Sequence, residues 1–106
     1  MMDTEVEMLY FKNDVKRIRG IDISKDKINE ICAKLNVELK MKDKTPGNMP
    51  QLSINLSGTD ETTLKGCIRE IVSLYGKPDL PSGFLMGAEK KRGNELVKAV
   101  NKEFAI

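Results

Sequence analysis

Between Ser24 and Lys42 the spacing of apolar residues changes from helical to alternating almost without a linker, and this change constrains the fold more than any other feature. Ile28, Ile31, Cys32 and Leu35 stand at i, i+3, i+4 and i+7, the stripe of an amphipathic helix, with Ser24 placed to cap it and Asn36 to close it. Val37, Leu39 and Met41 then alternate with Glu38, Lys40 and Lys42, as in a strand with one wet face. Helix and strand therefore belong to one α+β unit.

The same two periods recur on either side. Val6, Met8 and Tyr10 alternate with glutamates and mark a first strand over residues 5–11. Residues 12–23 read as a short basic helix followed by a loop, with Gly20 where the chain can turn freely. The breakers Pro46, Gly47, Asn48 and Pro50 separate the second strand from a third, in which Leu52, Ile54 and Leu56 share a face. Thr59 is the expected cap of a helix whose stripe runs through Leu64, Cys67, Ile68, Ile71, Val72 and Tyr75, with Gly76 and Pro78 as the stop. A Pro/Gly-rich connection leads to a last amphipathic helix at about residues 88–104, with Leu96, Val97, Val100 and Phe104 on its apolar side. Gly93 near its start costs about 1 kcal/mol relative to alanine.

Composition narrows the chemistry. A chain of 106 residues with 40% hydrophobic and 32% charged residues fills one modest core, and its net charge is only +2. Histidine is absent, which removes the commonest general acid/base and metal ligand. Cys32 and Cys67, the only cysteines, read as core residues on helical stripes. Neither a glycine-rich phosphate loop nor a nucleophile elbow occurs, so the expectation is a non-enzyme without metal or cofactor. No run approaches the ~20 apolar residues of a membrane span, and the N-terminus lacks the pattern of a signal peptide. The expected setting is intracellular, cytoplasmic or nuclear, with no membrane partner.

Three strings sharpen the order of elements. VKRIRG at 15–20, INEICAKLNVELKM at 28–41 and LSINLSGTDETTLKGCIREI at 52–71 together resemble a type I K-homology (KH) domain: the approach to its GXXG loop, its second helix running into its second strand, and its third strand and final helix. The resemblance covers roughly residues 5–76. It implies a KH-like domain over residues 1–76, with a three-stranded sheet packed on one face by helices, and a linker with an amphipathic helical extension over residues 77–106.

By the same resemblance the chain is a module for weak or non-specific single-stranded RNA binding, with Lys16, Arg17, Arg19, Gly20, Ile21, Lys25, Lys27 and Lys40 as its contact residues. Where the family has GXXG, this chain reads Gly20, Ile21, Asp22, Ile23, a degenerate loop. An aspartate facing phosphates is adverse: at ~4 Å and an effective dielectric of ~20, a like-charge contact costs about 4 kcal/mol. The alternative is a KH-derived protein-interaction module within an RNA-associated complex, docking through the groove or through Leu85, Met86, Leu96, Val97 and Val100 of the C-terminal segment. A ferredoxin-like domain shares the early order of elements but needs a fourth strand after Gly76, for which residues 83–86 are the only candidate.

Overall fold

The order of elements is β1 (Thr4–Phe11), α1 (Lys12–Arg19), α2 (Lys25–Lys34), β2 (Glu38–Lys44), β3 (Gln51–Gly58), α3 (Glu61–Tyr75) and α4 (Ala88–Glu103), in a computed structural model that describes residues 3–82 and 86–104. The strands form an antiparallel sheet in the order β1-β3-β2. This is the expected α+β architecture, a three-stranded sheet with helices that include one at the C-terminus.

Register follows from the alternation. Val6, Met8 and Tyr10 of β1 lie opposite Leu56, Ile54 and Leu52 of β3, and Leu39 and Met41 of β2 lie opposite Leu56 and Ile54 from the other side. Their shared face is covered by Val15 of α1, by Ile28, Ile31 and Cys32 of α2, and by the stripe of α3 from Leu64 to Tyr75, all part of one buried cluster. A slip of one residue would turn these side chains to solvent, so burial holds the register.

Local chemistry sets the helix ends. The Ser24 hydroxyl accepts the Lys27 N–H at 3.1 Å, and the left-handed Asn36 (φ 58°) follows the last turn of α2. At α3 the cap is Asp60 rather than the expected Thr59. Its carboxylate accepts the N–H groups of Thr62 and Thr63, and these bonds, led by those from Thr63, pull its pKa down. Asp competes as well as Thr for this position, and the residue adjoining the first helical turn prevails.

The C-terminal helix is no appendage. Leu96, Val97 and Val100 join the common core, and α4 lies along β1 and beside α3. Gly93 allows the close approach: a Cβ there would sit 1.8 Å from the Glu5 carbonyl oxygen. Arg92 grips Glu61 with Nε and Nη2 at 2.9 and 2.8 Å, and Arg69 grips Glu103 at 2.7 and 3.0 Å, so α3 and α4 run in the same direction. Residue 76 is thus no boundary of the packing. Phe104, expected on the apolar side, is exposed beyond the helix end.

The two edges of the sheet differ. Outside β1, Leu9 and Asp79 exchange backbone hydrogen bonds at 2.9 and 2.8 Å, and α4 covers the stretch near Glu5. Among the described residues no strand pairs with the outer side of β2. Of the candidate fourth strand, residues 83–85 lie outside the described residues.

Candidate nucleic-acid interface

The turn between α1 and α2 is held at both ends. Gly20 closes α1 in the left-handed conformation (φ 74°) and donates its N–H to the Lys16 carbonyl at 2.9 Å. A side chain built at Gly20 would meet nothing within 4 Å, so its backbone faces open space. At the other end Ser24 donates its N–H to the Tyr75 hydroxyl at 3.1 Å. Tyr10 in turn donates its hydroxyl to the Gly76 carbonyl at 2.6 Å, and burial pushes its pKa up. The tyrosine rings meet edge to face, 6.1 Å between centroids. Tyr75 thereby ties the start of α2 to the end of α3, and Tyr10 ties β1 to the same end.

Lys16, Arg17, Arg19, Gly20, Ile21, Lys25 and Lys27 all lie at this exposed end of the molecule. Most of the cations have a carboxylate nearby: Lys16 with Asp22 at 3.9 Å, Arg17 with Asp14 at 3.4 Å, Lys27 with Glu30 at 4.0 Å. Lys25 and Lys12 converge on Asp43 of β2, and their hydrogen bonds hold the Asp43 carboxyl at a pKa of about 2, well below the usual range. Arg19 instead reaches the end of α3, beside Gly76. Exposed pairs of this kind are worth only about 0–1 kcal/mol each.

Lys40 does not belong to this group. Asp43 shares the face of β2 with Leu39 and Met41, whereas Lys40, Lys42 and Lys44 point to the opposite face of the sheet. There they edge a shallow depression of about 420 Å³ floored by Ser53, Asn55 and Ser57, with Lys90 of α4 on its far side. Its floor is a polar network: Ser53 donates to Glu7 at 2.8 Å, Asn55 donates to Ser53 at 3.0 Å, and Lys44 stands 3.6 Å from Glu7. The opposition of Lys40 to Leu39 and Met41 was a sequence signal for this separation; the approach of Lys90 had none.

Of the contact set expected on the C-terminal segment, the three members on α4 do not form a surface. Leu96, Val97 and Val100 are buried in the core, Met86 is half-buried with its sulfur 3.5 Å from the Asn94 amide, and Leu85 lies outside the described residues. The large apolar side chains that do face solvent include Ile18, 68% exposed, and Ile21, 41% exposed, both at the α1–α2 turn. Ile18 also borders a depression of about 540 Å³ with Leu9, Phe11, Arg19, Lys77 and Asp79. Among the described residues no cluster of three or more His, Cys, Asp or Glu side chains is arranged to hold a metal ion, and no helix is long and apolar enough to cross a membrane. Comparison of the chain with known protein families, with curated proteins and with solved structures finds no match.

Proposed function

We propose that this chain is a KH-like module that binds single-stranded RNA weakly and with little sequence preference, through the turn between α1 and α2. The observation that carries the reading is the open backbone of Gly20, flanked by the exposed aliphatic side chains of Ile18 and Ile21 and by Lys16 and Arg17. The order β-α-α-β-β-α, with the sheet covered on one face by helices, supports it.

In this reading a phosphate approaches the Gly20–Ile21 backbone, where a side chain at position 20 would stand in the way. Lys16, Arg17 and Lys25 exchange their carboxylate partners for phosphates, and the strand's bases lie against Ile18 and Ile21. Asp22 opposes the approach and keeps the affinity low. Lys40 contributes only to a strand long enough to pass around the edge of β2.

The test is a salt-series titration with a randomised single-stranded RNA pool, followed by backbone chemical shifts. With ~3 phosphates neutralised, log K falls with log salt at a slope of about −2, and the shifts concentrate at residues 16–27. Absence of any shift there at low salt removes the reading. Exposed Ile18 and Ile21 then favour the KH-derived protein-interaction module instead, with the same turn as its contact.

A further inference from the structure

The chain's two cysteines, 35 positions apart, meet in the core with their sulfurs 3.4 Å apart, one on α2 and one on α3. Helical periodicity accounts for each being buried; it does not account for their facing each other. From this contact we infer that Cys32 and Cys67 are a modification site, forming a reversible intramolecular disulfide when the chain meets hydrogen peroxide.

The geometry is close to what the bond requires. A disulfide spans about 2.05 Å, so the sulfurs need to approach by ~1.4 Å, a movement within reach of side-chain rotation and a small shift of α2 against α3. Among the described residues no third thiol or imidazole competes for them and no metal cluster includes them. A cleft of about 160 Å³, lined by Lys27, Ile31, Lys34, Glu70 and Leu74, runs along the same α2–α3 seam; both cysteines are buried beneath it and line none of it, so the oxidant reaches them when the seam opens.

The pair is polarised. Either sulfur can donate to the other across this contact, which lowers the pKa of Cys32 and, together with burial, raises that of Cys67. Glu70 beside them opposes the negative charge on both, and Lys34, 3.4 Å from Glu70, offsets it.

Cys32 as thiolate attacks one peroxide oxygen: the S–O bond forms, the O–O bond breaks, and the departing hydroxide takes up the thiol proton as water. Cys67 then attacks the sulfenic sulfur. The S–S bond forms, the S–O bond breaks, and the second hydroxide leaves as water with the Cys67 proton. The two sulfurs lose two electrons in all, and one peroxide is reduced to two waters. A dithiol reductant reverses the bond by exchange.

The experiment treats the folded, fully reduced chain with peroxide, alkylates remaining thiols after unfolding, and maps peptides without reduction. Expected are loss of both alkylatable thiols, a mass lower by two hydrogens, a Cys32–Cys67 cross-linked peptide, and recovery of both thiols with dithiothreitol. The thermal midpoint rises on oxidation by on the order of 10 °C, because the bond closes a long loop in the unfolded chain. Cys32→Ala and Cys67→Ala lose the cross-linked peptide, and the wild-type readouts stand even where a variant fails to fold. Thiols that stay fully alkylatable, oxygen adducts without a cross-link, or disulfides only between chains each overturn the inference.

Discussion

The Tyr75 hydroxyl accepts the backbone N–H of Ser24 at 3.1 Å, so the last turn of α3 holds the residue from which α2 starts. Tyr75→Phe keeps the ring and removes the acceptor. The expected loss is about 1 kcal/mol in urea denaturation, with faster amide exchange at Ser24 and unchanged exchange in the middle of β3.

Gly93 and Gly66 both lie inside helices, yet substitution by alanine has opposite signs. At Gly93 the added methyl meets the Glu5 backbone at 1.8 Å, which no side-chain movement relieves. Gly93→Ala destabilises by ~3 kcal/mol or separates α4 from β1. At Gly66 a methyl meets nothing within 4 Å. Gly66→Ala therefore stabilises by ~0.5–1 kcal/mol through helix propensity alone. Denaturation midpoints of the two variants on either side of the parent check both signs.

Val97 is fully buried where α4 meets the common core. Val97→Ala costs about 2 kcal/mol, from the lost transfer energy and the cavity left behind. Because α4 shares this core, the loss is expected in a single unfolding transition, with probes on β1 and on α4 reporting the same midpoint.

Asp43 gives a pH dependence of known sign. Hydrogen bonds from Lys12 and then Lys25 hold its folded-state pKa at about 2. A group depressed on folding contributes stability that is fully present above its unfolded value of about 3.9 and is lost as pH falls through the folded one. Carboxyl carbon shifts of Asp43 should titrate near that low value and move toward the ordinary range in high salt, because the pair is exposed. Asp43→Asn removes this contribution and leaves Lys12 and Lys25 without their shared partner.

On the proposed RNA reading, Gly20→Ala and Asp22→Asn act in opposite directions. Alanine at Gly20 is strained at φ 74° and puts a methyl on the open backbone. Affinity for pooled single-stranded RNA falls several-fold. Asn at Asp22 removes the carboxylate beside Lys16, and affinity rises by a similar factor at low salt. Filter-binding curves at several salt concentrations check both.

The alternation of Val6, Met8 and Tyr10 and the stripe of α3 made the sheet face and its main covering helix legible, because burial imposes both periods directly. The stripe of α4 announced that Leu96, Val97 and Val100 are covered, but periodicity does not say by what. Gly93 read alone is a weak point in a helix; only the neighbouring Glu5 carbonyl shows why glycine stands there. The pairing of Lys25 with Asp43 across the fold depends on tertiary placement, as does the meeting of the two thiols. The lysines around the turn were legible as a group by their nearness in the chain, whereas the separate position of Lys40 is written in the parity of β2.

With β1 blocked by Asp79 and α4, β2 is the strand edge left open among the described residues. Two copies meeting through it would use up this edge on both sides. Lys40, Lys42 and Lys44 place charge along that edge, a feature that discourages strand addition.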